Sequence, residues 1–291
     1  MSPARRSREV AAVHALPFAL AALAAAILAP PLLRALFDGG HVRANYRGRR
    51  VAFPLGVLSV AGALAALVPL ALVQRLKVAG VFYPQTSAVI VYALGVAFLG
   101  LLDDLLGSKP EGGGPRGWRG HARAVAHLQF STGAMKAVGS LGLALYATGE
   151  LGLATGHWLL ASAVLVLATN VFNLLDLRPG RATKAFVLLA VGLMLGTMRL
   201  TPLWTVGLFA GPALVAGSYD LREHAMLGDI GANLLGALAG LWLVLGLSEI
   251  GQLLALAILV LVTIYGELRS IGTLVERLPL LRQLDSWGRP T

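Results

Sequence analysis

A chain of 291 residues that is 57% hydrophobic and only 13% charged, with a mean hydropathy of +0.75, is not an ordinary soluble domain. It has no cysteine, which excludes disulfides and thiolate metal ligands and leaves hard oxygen donors, suited to magnesium or manganese. The net charge of +10 is better read as Lys and Arg gathered in cytoplasmic loops than as a nucleic-acid footprint, because no basic block is interleaved with exposed aromatics.

The first apolar run follows MSPARRSREV, a start resembling the charged and hydrophobic regions of a signal peptide. It continues to about Phe37 without a small-residue cleavage site, so we read it as a retained first span, Ala11 to Phe37. Further apolar segments run from Val51 to Gln74, Thr86 to Leu102, Phe130 to Thr148, His157 to Leu175, Ala182 to Thr197, Pro202 to Ser218, Leu227 to Leu247 and Gly251 to Tyr265. At about 20 apolar residues per crossing, this predicts an all-α, polytopic membrane bundle of about nine transmembrane helices. It forms a single domain over residues 1–291. With the N-terminus outside and the C-terminus cytoplasmic, the outer side keeps only Arg5, Arg6, Arg8, Arg75, Lys77 and Arg199 of the 24 Lys and Arg, a clear positive-inside bias.

That threading puts Asp103 and Asp104 (FLGLLDDLLGSKP), Asp176 (TNVFNLLDLRPG) and Asp229 (HAMLGDIGANLLG) on one face, each where an apolar segment ends or begins. A charge deep in the bilayer costs roughly 2.5 to 3.5 kcal/mol on insertion scales, so something should compensate the adjacent pair. A divalent ion bridging two or three carboxylates would do so, since magnesium commonly takes one or two carboxylates plus substrate phosphates. Lys136, Arg178, Arg181, Lys184, Arg116, Arg119 and Arg123 lie nearby in the threading and suit phosphate oxygens. Acid for metal and base for phosphate is the inventory of phosphoryl transfer. Its place at the membrane edge points to a lipid phosphate and a soluble substrate.

Each residue also has a plainer role. Asp229 would cap a helix, the aspartate pair would be solvated at the interface, and Asn170 and Asn173 would join helices. Lys136 would snorkel, and Arg116 to Arg123 would meet anionic headgroups. His121, His127 and His224 lack metal-ligand spacing. A secondary transporter is a further reading, but its acids would sit near the midplane in broken helices rather than at span ends.

From NYRGRRVAFPLG onward the chain resembles the bacterial polyprenyl-phosphate sugar-1-phosphate transferases, which include phospho-N-acetylmuramoyl-pentapeptide transferase and the N-acetylglucosamine-1-phosphate transferases. The resemblance rests on FLGLLDDLLGSKP for a paired-aspartate motif, FSTGAMKAVGS for the following helix with its lysine, NVFNLLDLRPG for an Asn, Asn, Asp motif and MLGDIGANLLG for a Gly-Asp motif. It implies magnesium-dependent transfer of a sugar-1-phosphate from a UDP-sugar to undecaprenyl phosphate at the cytoplasmic face of the bacterial inner membrane, releasing UMP, in cell-wall and peptidoglycan biogenesis. On the matching positions, Asp103, Asp104, Asp176 and Lys136 would be catalytic and Asp103, Asp104 and Asp229 would bind metal. Asn170, Asn173, Arg178, Arg181, His121 and Arg123 would bind substrate. A homodimer is also implied. The chain departs from the family pattern at Gly107, Pro179 and Met226, and the tail ERLPLLRQLDSWGRP stands where the family has a histidine-rich loop and a tenth helix. These departures fall on nucleotide and sugar recognition, which keeps a non-catalytic, lipid-binding or scaffold relative as the alternative.

Overall fold

The computed structural model describes residues 3–76, 80–107 and 132–290. These residues form a helical membrane-protein bundle with one small hairpin. The helices are α1 (Pro3–Asp38), α2 (Val57–Arg75), α3 (Thr86–Leu106), α4 (Thr132–Gly149), α5 (Thr155–Leu175), α6 (Arg181–Thr197), α7 (Thr201–Leu221), α8 (Gly228–Gly246), α9 (Glu249–Leu268), α10 (Ile271–Arg277) and α11 (Pro279–Ser286). A helix occurs at each apolar segment expected from the sequence. Six of them are long and apolar enough to cross a membrane: α1 from Val13, α2, α3, α5, α8 and α9.

The boundaries differ from expectation where polar chemistry intervenes. The segment from Val51 does not start as helix. Arg50–Ala52 forms strand β2, antiparallel to β1 (Val42–Ala44), and helix begins only at Val57. Pro54 has no N–H to donate, and the amides of Leu55 and Gly56 bond outward to the carbonyls of Met226 and Leu227 at 2.8 and 2.9 Å. With Met226 N donating to Ala52 O at 3.0 Å, the hairpin is pinned to the loop that leads into α8. At the other end, α3 continues through Asp103 and Asp104 to Leu106 rather than stopping at Leu102. Both aspartates therefore ride on the last turn of a helix, not on a loop.

The bundle is organised around α8. Of its most apolar window 89% is buried inside the protein, against 11% for α9 and 22% for α1. It packs against α3, α5, α6 and α7, while α1 and α2 close on α7 and α4 closes on α3 and α5. Among lipids, apolar burial releases no water, so close packing by small residues must supply the attraction. The sequence provides them: Gly236 and Gly240 lie one turn apart on α8, where a Cβ at the first would collide with Ala168 and Thr169 of α5 and one at the second would crowd Ala168 and Leu165. The prolines inside α1 and α2 are tolerated because neighbouring helices can satisfy the freed carbonyls.

Candidate functional site

The site lies where α3, α4 and α8 meet. Gly100 brings α3 and α8 together: a Cβ there would stand 2.5 Å from the carbonyl oxygen of Asp229, so only a glycine permits this approach. Three residues later, Asp103 leaves the last turn of α3 and Asp229 the first turn of α8. Lys136 of α4 bridges them, its Nζ 3.0 Å from Asp103 Oδ2 and 2.5 Å from Asp229 Oδ2. The two carboxyls are also within hydrogen-bond reach of each other, and the Thr132 hydroxyl donates to Asp103. Two carboxyls this close require a cation or a shared proton. Lys136 is therefore a structural counter-ion rather than a snorkelling side chain.

Asp104, adjacent in sequence, does something different. Its Oδ1 accepts from the amide of Asp229 at 2.9 Å and its Oδ2 from the amide of Ile230 at 3.0 Å. These are among the N–H groups that a helix start leaves without intrahelical partners, and a carboxylate there also meets the positive end of the helix dipole. The N-terminal cap of α8 is thus supplied from α3, not by Asp229 itself. Gly228 makes room for it: its φ is +72°, and a Cβ would meet Asp104 Oδ2 at 2.6 Å. Arg43 of β1 is close enough to Asp104 to offset its charge.

Asp176, the residue after α5, is near enough to feel the charges of Asp220, Asp229 and Asp104, but its side chain makes no hydrogen bond or ion pair with the Asp103, Lys136 and Asp229 bridge among the described residues. The sequence reading missed Asp220, which is 3% exposed. Its oxygens accept from Gly180 N at 2.6 Å and Leu227 N at 3.3 Å, tying the loop before α6 to the loop before α8. The pattern that singled out the others, an acid at the end of an apolar segment, applies equally to SYD at the end of α7.

The expected substrate residues are distributed otherwise. Asn170 donates to the Thr263 hydroxyl of α9 at 3.3 Å, joining two helices, and Asn173 is half-buried with no side-chain hydrogen bond in the described residues. Arg178 lies over the Tyr46 ring, 4.6 Å from its centroid, and pairs with Glu276 at 3.5 Å. Arg181 makes a two-pronged pair with Asp285 at 2.8 and 3.0 Å. Lys184 donates to the carbonyls of Leu284, Asp285 and Trp287. The basic residues at the start of α6 are thus held by the chain's own C-terminal helix. His121 and Arg123 lie outside the described residues.

Burial pushes the Asp285 carboxyl up, but hydrogen bonds from Arg181 and Arg289 outweigh it and hold it at about 2, below its usual 3.8. A depressed carboxyl stabilises the fold above its unfolded value and loses that contribution as the pH falls through its folded one. Attachment of the tail by this carboxylate is therefore complete at neutral pH. Tryptic cleavage at Arg282 should proceed at the same relative rate, normalised to a free peptide, from about pH 6 to about pH 7. A tail that loosens within that range would contradict the pairing.

Among the described residues no group of three or more His, Asp and Glu side chains is arranged to hold a metal ion. The donor chemistry nevertheless fits a two-carboxylate site. Asp103 and Asp229 are hard donors facing one cation, and magnesium needs only one or two carboxylates from the protein. Both oxygens of Asp104 already accept from backbone amides, so its share would be smaller than its motif implies. No family model matches the chain, and no curated protein is significantly similar to it.

Proposed function

We infer that the chain is a phosphotransferase acting on a lipid phosphate at the cytoplasmic face of a bacterial inner membrane, joining a sugar-1-phosphate from a nucleotide sugar to polyprenyl phosphate. The observation that carries this reading is the bridging of Asp103 and Asp229 by Lys136 at the meeting of three helices. A cation-demanding pair of carboxylates beside an ammonium is suited to phosphate chemistry. The nine-span topology with the N-terminus outside belongs to the same proposal, supported by the bias of Lys and Arg toward one side.

In the proposed reaction an oxygen of the lipid phosphate forms a bond to the phosphorus carrying the sugar. The bond from that phosphorus to the bridging oxygen breaks, and the nucleoside monophosphate leaves with the electron pair. A lipid monophosphate is already largely dianionic at neutral pH, its second pKa being about 6, so the protein's chief task is to offset repulsion between anions. Lys136 is placed to do so by turning from the carboxylates toward phosphate. Asp103 and Asp229 would hold a magnesium or manganese ion, which supplies further charge neutralisation at the phosphate oxygens. Asp104 fixes the start of α8 and hence the position of Asp229.

The test is nucleotide monophosphate release by the purified protein with undecaprenyl phosphate, magnesium and a panel of nucleotide sugars. Release that requires lipid and metal, and falls by at least about 100-fold in Asp229→Asn while the protein remains folded, is the expected result; the size follows from losing an electrostatic group at the reacting centre. Undiminished release in both Asp103→Asn and Asp229→Asn would remove these residues from the reaction. A second reading, a non-catalytic lipid-binding or scaffold relative, is favoured by the internal engagement of Arg178, Arg181 and Lys184. Lipid binding without turnover across the whole panel would select it.

A further inference from the structure

Beyond the aspartate site, α6, α9, α10 and α11 enclose an apolar cleft of about 550 Å³. Its walls include Leu188 of α6, Leu261 and Tyr265 of α9, Leu274 of α10 and Leu281 of α11, and at one end stand Arg181, Lys184 and Asp285. From Arg181 to Leu188 the cleft follows α6 for about 10 Å, at 1.5 Å per residue. It is thus a hydrocarbon-lined trough with a cationic head, the shape and polarity of an amphiphile bearing one anionic group.

The cationic end already holds an anion, and it comes from the chain itself. The Asp285 carboxylate takes two N–H groups of Arg181 at 2.8 and 3.0 Å and one from Arg289 at 2.7 Å. Arg181 is 6% exposed, and its Nη1 is buried without a hydrogen-bond partner. A buried guanidinium nitrogen left unpaired costs free energy, and a phosphate offers more acceptor oxygens than the carboxylate now there. The other attachments of α11 and the residues after it are polar too: Lys184 donates to three of its carbonyls, Arg289 to Pro179 O and Arg47 to Pro290 O, while none of the α11 residues is buried and Leu280, at 68%, and Trp287, at 76%, are exposed. The helix is fastened at its polar side and presents apolar side chains outward.

We propose that this cleft is a regulatory seat for an anionic phospholipid, whose phosphate displaces the Asp285 carboxylate from Arg181 and draws Lys184 from the tail carbonyls while its acyl chain fills the trough, releasing the C-terminal helix. The apolar walls select a lipid over a free phosphate, and the pair of cations selects an anionic headgroup over a zwitterionic one. Asp285 is the competing ligand that keeps the seat closed when such lipid is scarce. This assignment stands independently of the transferase reading.

The experiment uses the full chain in lipid nanodiscs. Because the protein has no cysteine, Ser286→Cys provides a single attachment point for an environment-sensitive fluorophore on the exposed tail. Raising the phosphatidylglycerol fraction in a phosphatidylcholine background should shift the label. Asp285→Asn should lower the fraction needed by about tenfold, the equivalent of one charged hydrogen bond. Arg181→Gln should abolish the shift, and so should Leu188→Trp, which fills the trough while leaving the ion pairs intact and covers the case in which Arg181→Gln fails to fold. An unchanged label across the lipid series, or a normal shift in Leu188→Trp, would overturn the proposal. So would a shift given equally by inorganic phosphate, or one produced by undecaprenyl phosphate and not by phosphatidylglycerol. None of these readouts requires turnover, so failure here and failure of the transferase assignment can be told apart.

Discussion

Lys136→Met is expected to destabilise the protein by about 3 kcal/mol when no divalent cation is present. That is the lower end of the 3–5 kcal/mol typical of breaking a buried ion pair, because Asp103 and Asp229 retain 23% and 31% of their side-chain exposure. The loss arises because the methionine leaves two carboxylates within reach of each other and no cation between them. Two companion measurements make the explanation specific. Adding Asp229→Asn to Lys136→Met should recover much of the loss, since the repulsion then disappears. Millimolar magnesium should raise the thermal midpoint of Lys136→Met more than that of the parent protein, because anything that binds the folded state alone stabilises it by mass action. If Lys136→Met melts like the parent in a chelator, the ammonium is not balancing the pair.

The second large effect is expected at Asp104. Asp104→Ala removes both acceptors from the amides of Asp229 and Ile230, at a cost of about 2–3 kcal/mol, between that of a lost helix cap and that of lost hydrogen bonds to a charged group. Asp104→Asn keeps one side-chain acceptor oxygen and should fall between the parent and the alanine variant. Hydrogen exchange at the start of α8 should report the damage locally: the amides of Asp229 and Ile230 lose protection while those at the far end of the helix do not. Equal protection in parent and Asp104→Ala would show that the cap contributes nothing. Asp103→Ala, by contrast, should leave these amides protected, because its carboxyl meets Lys136 and Thr132 instead.

This division between adjacent aspartates marks the limit of what the sequence conveys. The length of the apolar segments and the bias of basic residues were enough to anticipate helices at each segment and to single out Asp103, Asp104 and Asp229, which meet where α3, α4 and α8 join. They could not assign different partners to Asp103 and Asp104, because partner choice depends on the rotation of α3 against α8, which Gly100 permits and no local pattern encodes. The hairpin was missed because Val51 and Ala52 are as apolar as the helix that follows; the break is carried by Pro54 and by amides that bond to the loop before α8. Arg181 and Lys184 looked available for phosphate because their partner, Asp285, is a hundred residues away. Asp220 was legible by the rule already applied to its fellows and was overlooked.

The coupling of Gly100, Asp103 and Asp104 also makes α3 a helix with a phase. Each residue advances the side-chain direction by about 100°, so an insertion or deletion of one residue between Gly100 and Asp103 would not merely lengthen or shorten the span. It would turn the two carboxylates away from their partners together: the one that meets the ammonium and the one that starts the neighbouring helix. Bilayers commonly accommodate small changes of span length by tilt or thinning, but nothing in the lipid can correct a rotation. Length variation should therefore be tolerated in the first turns of α3, before Gly100, only when the added residues form complete turns or are absorbed in the preceding loop.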